Sequence, residues 1–164
     1  MLRLRSYKAC DAKIIVTWLK NEYAFRQWSA DRYNAYPLTA QEMNAYYDKD
    51  KNNGDIWGMT AFDESGVIGH FTMRFTDESK KTIRLGFIIV DDNKRGQGYG
   101  KEMLLLAICF AFDFVGAEKV TLCVFENNQP AIRCYESAGF QRVNKTENYR
   151  CLDETWQCIE MEIE

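Results

Sequence analysis

The stretch "FIIVDDNKRGQGYGKEMLLLA", Phe87 to Ala107, decides how this chain is read. An apolar run ends at Val90, a loop follows with Gly96, Gly98 and Gly100 set among Lys94, Arg95 and Lys101, and a helical pattern then begins. Met103, Leu104, Ala107, Ile108, Ala111 and Phe112 recur near a period of 3.6, with Gly116 at the expected end. Strand, glycine-rich loop and helix together make a seat for an anion. The first helical turn leaves N–H groups unpaired and its dipole favours negative charge. Glycines keep side chains off those amides and allow positive φ. A plain strand-to-helix turn needs one or two glycines, not three with flanking cations.

Two familiar phosphate loops do not fit. A P-loop needs four residues between its first glycine and Gly-Lys, then Ser or Thr; Gly96 to Gly100 leaves three, and Glu102 follows Lys101. The dinucleotide fingerprint G-x-G-x-x-G would require glycine at Lys101 or Met103.

Outward from the loop, "LRLRSY" alternates as a first strand and "DAKIIVTWLKNE" reads as a first helix. Thr39 with Glu42 three residues later has capping-box spacing, so a second helix begins there. "DIWGMTAFD", "VIGHFTMRFT" and "KTIRLGFIIV" form a meander, joined first by "ESG" and then by the "DESK" turn. After the central helix come the strand "KVTLCVF", the helix "NQPAIRCYESAG" and a terminal hairpin of "FQRVNKT" with "TWQCIEMEIE". The order β-α-α-β-β-β-α-β-α-β-β predicts a mixed α/β sheet with one parallel, right-handed β-α-β unit. With 164 residues and no linker or repeat, residues 1–164 are expected to form a single domain.

Composition narrows the function. A net charge of −3 without a basic stripe argues against nucleic acid as partner. No apolar run reaches the roughly 18 residues of a membrane span. The charged start "MLRLRSYKACDA" lacks the core of a signal peptide, so a cytoplasmic location away from membranes is expected. The six cysteines are scattered without a CxxC pair, which suggests reduced thiols. The single histidine, His70, has no ligand-type neighbours at useful spacing, so no metal is expected and a structural role is.

What the loop does match is R-x-x-G-x-G, at Arg95, Gly98 and Gly100. Here the chain resembles the GNAT superfamily of acyl-CoA N-acyltransferases. A second family pattern, N-x-x-A-x-x-x-Y-x-x-x-G-F, matches Asn128, Ala131, Tyr135, Gly139 and Phe140 in "VFENNQPAIRCYESAGF". The resemblance covers Leu2 to about Ile163. It implies a GNAT-like, mostly antiparallel seven-stranded sheet around a central parallel β-α-β unit, with flanking helices. It further implies acetyl-CoA as cosubstrate and transfer to a primary amine by direct attack in a ternary complex.

The same resemblance assigns the candidate site. Main-chain groups of Ile88, Ile89 and Val90, on a strand that splays from its neighbour, would meet the pantetheine arm, with an oxyanion donor near Ile89. Arg95, Gly96, Gln97, Gly98, Tyr99, Gly100 and Lys101 would surround the diphosphate. Asn128 would lie near the arm, with helix capping as its alternative. Tyr135 is the expected catalytic acid for the leaving thiolate, with core packing as its alternative. Relatives often carry an acidic base about where Arg84 stands, and a guanidinium cannot accept a proton. Glu22, Glu126 and Glu154 remain without a spacing argument, so no base is assigned. "TWLKNEYAFRQWS", with Trp18, Phe25, Arg26 and Trp28, is similar to the branch acting on ribosomal-protein N-termini and on small amines. Trp28, Tyr33, Tyr36, Tyr46, Tyr47 and Trp57 are candidates for pocket walls or for core. The acceptor is expected to be a protein N-terminus, an amino acid or a small amine, and the resemblance allows a homodimer through the late strands. The alternative is a CoA-binding regulatory or sensor domain that has lost its chemistry.

Overall fold

A computed structural model describes all residues from Met1 to Glu164. Seven strands form one sheet: β1 (Arg3–Ser6), β2 (Ile56–Asp63), β3 (Gly66–Phe75), β4 (Thr82–Val90), β5 (Lys119–Phe125), β6 (Gln141–Cys151) and β7 (Glu154–Ile163). Their spatial order is β1-β2-β3-β4-β5-β7-β6, and every neighbouring pair is antiparallel except β4 with β5. The mixed sheet with a central parallel unit is therefore as the sequence implies.

Between β1 and β2 lie three α-helices, not two: α1 (Ala12–Ile15), α2 (Glu22–Ser29) and α3 (Ala40–Asp48). The expected first helix is short and flanked by 3₁₀ turns at Ala9–Asp11 and Val16–Trp18. Asn21 then starts a new helix by accepting the N–H of Ala24 at 2.8 Å. The Thr39–Glu42 capping box is present, with the Glu42 carboxylate taking the Thr39 N–H at 2.8 Å. Asp11, 2% exposed, fastens this N-terminal unit to the sheet. It accepts both Arg5 guanidinium nitrogens at 2.7 and 2.8 Å and the Thr60 hydroxyl at 2.8 Å.

On the other face, α4 (Tyr99–Cys109) crosses from β4 to β5 and α5 (Gln129–Ser137) packs beside it. The central helix does not stay α-helical to its end. Phe110–Val115 widens into a π-helical segment that stops at Gly116, φ 79°. The terminal hairpin is longer than the sequence pattern suggests. β6 continues past Thr146 to Cys151 and turns through Leu152 and Asp153, both at positive φ.

The feature that shapes the site is a bulge in β4. His70 stands opposite Ile89 and Thr72 opposite Gly86, so Phe87 and Ile88 together face one residue of β3. Phe87 takes the strain with φ 47°. Strict alternation would keep Ile83, Leu85, Phe87 and Ile89 on one face. The extra residue switches the parity. Ile83, Leu85 and Val90 pack in the large core against α4, whereas Phe87 and Ile89 join the second core with Phe25, Tyr33 and Met43.

Candidate active site

The bulge also ends the parallel pairing. β4 and β5 pair only from Thr82–Lys119 to Leu85–Leu122. Beyond that, β5 stays with β7 through Phe125 and β4 stays with β3, so the two central strands part like a V. Main-chain direction in the freed half of β4 follows from three contacts. Asp91 N–H donates to Ile68 at 2.8 Å, and the Ile89 carbonyl lies 3.0 Å from the point where a Gly69 Cβ would sit. Both residues are thus turned toward β3. Val90 instead offers its carbonyl to Arg95 Nε at 3.4 Å, on the opposite side. By the two-residue alternation, Ile88 and Val90 point their peptide groups into the V, and Ile89 does not.

At the mouth of the V is the glycine loop. Gly98 is the N-cap of α4 at φ 90° and has no side chain to cap it. The first bond of the helix runs from Glu102 N–H to the Gly98 carbonyl, leaving the amides of Tyr99, Gly100 and Lys101 without intrahelical acceptors. A Cβ on Gly96 or Gly98 would meet nothing within 4 Å, so the glycines serve conformation and open access. At Gly100 a Cβ would come within 3.0 Å of Cys134 Sγ, where α4 touches α5.

The V and the loop open into one cavity of about 700 Å³. Of the residues assigned from the sequence, Ile88, Ile89, Val90, Arg95, Gly96, Gly98, Gly100, Lys101, Asn128 and Tyr135 line it. Gln97 and Tyr99 do not. Gln97 donates back to the Asn93 carbonyl at 3.1 Å, and Tyr99 reaches Asp63 at 3.3 Å. The contact with Asp63, at the end of β2, draws the Tyr99 ring off the cavity, while its main-chain amide stays in the first turn of α4. Asn128 caps α5 by accepting the Ala131 N–H at 3.4 Å. Tyr135 is 7% exposed, and burial holds its phenol above the ordinary tyrosine range, with Cys134 adding to the effect.

The aromatic candidates divide. Trp28, Tyr46 and Tyr47 reach the cavity, Tyr33 and Tyr36 fill the second core, and Trp57 stacks edge-on against Phe75. Trp18 and Phe25 are buried, and Arg26 holds the carbonyls of Ala30, Tyr33 and Asn34. His70 is fully buried with Nε2 against the Tyr47 hydroxyl, and burial lowers its pKa to about 4. None of Glu22, Glu126 and Glu154 lines the cavity, and Glu154 is engaged by the Trp156 indole. Arg84 lines it, bonded to Thr121 and ion-paired with Glu160. Sequence reasoning missed Arg32 and Arg74, which also line it. No local pattern marks them, because strand register and loop packing bring them there.

Comparison with known proteins agrees with this geometry. Residues 17–140 match the Acetyltransferase (GNAT) family, and the chain belongs to that family. Among curated relatives, the spermine/spermidine N(1)-acetyltransferase of Bacillus subtilis is 31% identical over 88 residues. That alignment covers 54% of each chain. A prophage-derived uncharacterized N-acetyltransferase of the same species is 24% identical over 107 residues, 65% of this chain and 60% of that one. The chain thus spans little more than half the length of these relatives. Among solved structures, the Vibrio cholerae spermidine N-acetyltransferase in complex with CoA and spermine superposes with a TM-score of 0.83 at 20% identity. It covers 99% of this chain and 94% of that one, which establishes the shared fold. No helix here is long and apolar enough to cross a membrane.

Proposed function

We propose that this chain is an acetyl-CoA-dependent N-acetyltransferase that acts on a primary amine by direct attack in a ternary complex. The observation that carries the reading is the meeting, in one cavity, of the β4–β5 V with the uncapped glycine start of α4. The donor set fits coenzyme A: main-chain amides for a diphosphate at one end, and an unpaired strand edge for an amide-bearing arm along the middle. The Vibrio cholerae relative, solved with CoA, supports the same assignment.

Gly96, Gly98 and Gly100 would let the amides approach the diphosphate, with Arg95 and Lys101 adding charge. Ile88 and Val90 would pair with the arm, and the N–H of one of them would hold the developing oxyanion. Ile89 would act through its side chain, which steadies the aromatic wall. Bound acetyl-CoA supplies an activated carbonyl on a thiolate leaving group. Tyr135, kept protonated by burial, would deliver a proton toward that sulfur. Arg84 takes no proton, and Asp50 is the one carboxylate on the cavity wall. With no carboxylate at the Arg84 position, the acceptor would shed its ammonium proton to water in the open cavity, so kcat/KM should rise with pH toward the amine's own pKa.

Calorimetry with CoA, and thiol release from acetyl-CoA over a panel of amines, test the reading. CoA binding with turnover on at least one amine is expected. Binding with no turnover on amines, peptide N-termini or aminoglycosides would favour a CoA sensor, a reading to which Arg84, standing where relatives often carry an acid, lends support. Absence of CoA binding would remove both.

A further inference from the structure

We propose that the acceptor carries an anionic group of carboxylate type beside its amine, seated by Arg74 and Arg32 at the end of the cavity away from the glycine loop. This rests on the N-acetyltransferase reading and names its substrate class.

The cavity wall holds six cationic side chains, Arg32, Arg74, Arg84, Arg95, Lys101 and Arg133, against the single carboxylate of Asp50. In a chain of net charge −3, that concentration is local and directional. The cations divide by position. Arg95 and Lys101 belong to the glycine loop and answer the diphosphate. Arg84 lies six residues back along β4 from Val90, about 20 Å at roughly 3.3 Å per residue. Arg74 stands directly opposite Arg84 in the β3–β4 register. Neither residue is near enough to the loop to serve the same ligand group.

Like charges directly opposite on one sheet face repel. Arg84 is relieved by Glu160, which also takes Lys145 at 3.1 Å. The Arg74 side chain makes no ion pair or hydrogen bond within the chain. Its guanidinium is held below its ordinary value, first by desolvation and then by the charges of Arg84 and Arg32. Arg32 has only the face of Phe87, 5.4 Å from its guanidinium carbon to the ring centroid. Two unpaired arginines thus face the cavity beside a third that is already compensated. A bidentate anion such as a carboxylate would relieve them and match guanidinium geometry. The walls around them are aromatic, including Trp28, Tyr46 and Phe87. An α-amino acid with an apolar side chain has the right parts: amine for transfer, carboxylate for Arg74, apolar body for the wall. A polyamine would bring extra ammonium groups to the same face, which like-charge juxtaposition disfavours.

The test uses matched acceptors with the intact protein: L-phenylalanine against phenethylamine, L-methionine against 3-(methylthio)propylamine, and spermidine. Thiol release should favour the carboxylate-bearing member by at least about tenfold in kcat/KM. Arg74→Ala should raise KM for it by about tenfold or more with kcat within about threefold and acetyl-CoA affinity unchanged, and Arg74→Lys should recover part of the loss. Equal or better use of the decarboxylated amines or spermidine would overturn the carboxylate seat while leaving acetyl transfer intact. If no amine turns over, the acetyl-transfer reading has failed and the seat is judged by binding alone. N-acetyl-L-phenylalanine titrated into the CoA complex should then bind wild type and bind Arg74→Ala at least about tenfold more weakly. No difference between the two overturns the seat as well.

Discussion

Replacing Tyr135 with phenylalanine separates catalysis from packing at one atom. The ring is 7% exposed and sits edge-on to Phe140 with centroids 6.5 Å apart, so its apolar body belongs to the core between α5 and the sheet. The residue lines the cavity, and its hydroxyl makes no hydrogen bond within the chain. Phenylalanine keeps the packing and orphans no donor or acceptor, so stability should change by less than about 0.5 kcal/mol. Catalysis has more to lose. A hydrogen bond to a charged group is worth about 1.5–3 kcal/mol, and the charge that develops on a leaving thiolate is the charge this phenol would meet. The variant should therefore turn over about 10- to 150-fold more slowly, with CoA affinity unchanged. Because burial raises the phenol, the tyrosine stays protonated throughout neutral pH, and its ionisation should contribute no limb to the wild-type rate profile there. Steady-state thiol release, calorimetry with CoA and thermal unfolding make the comparison. Unchanged kcat from pH 6 to 9 would remove Tyr135 from the chemistry, and a large drop in melting temperature would make its hydroxyl structural.

Three further outcomes are expected. His70 holds a pKa of about 4 in the folded chain against the ordinary 6.5, because burial disfavours its charged form. The unfolded state then binds more protons in that window, so stability should fall by about 3 kcal/mol as pH drops from 6.5 to 4. His70→Gln should lose that share of the slope in denaturant titrations; an identical slope would refute it. At Gly98, φ 90° with open space around the missing Cβ, alanine should cost about 1–2 kcal/mol of backbone strain without a clash, and should weaken CoA binding measured by calorimetry. Unchanged affinity would take the anion seat away from this loop. Cys123 is held below the usual thiol range, first by its interaction with the Cys158 thiol and further by the charge of Arg84, against the opposing effect of burial. Mass spectrometry should show it alkylated by iodoacetamide at a lower pH than Cys109, whose thiol is raised by Asp113, and protected by bound CoA and acceptor. Equal pH dependence at the two sites would contradict this.

Local signals were readable without the structure wherever one segment satisfies itself. The R-x-x-G-x-G loop, the Thr39–Glu42 box, the Asn128 start of α5 and the 3.6-residue stripe of α4 each need only neighbours a few positions away, so their residue types announce them. The meander and its parallel partner followed from strand lengths, turns and the handedness of a crossover. The extra helix at Glu22–Ser29 was missed because an 8-residue helix capped by Asn21 carries too short a period to stand apart from the segment before it.

What the tertiary structure alone decided is the site's working geometry. The bulge at Phe87 is invisible in "LGFIIV", since every residue there is apolar and period-two reading puts Phe87 on the wrong face. Only pairing with β3 shows the extra residue, the switched parity and the consequent parting from β5. The same pairing sets Arg74 against Arg84, and β7 brings Glu160 to Arg84 across 76 positions of sequence. Sequence thus determined most of the segments that become strands and helices and where the glycine loop enters its helix. Register between distant strands determined which charges meet, because a one-residue slip turns a side chain from one face of a sheet to the other.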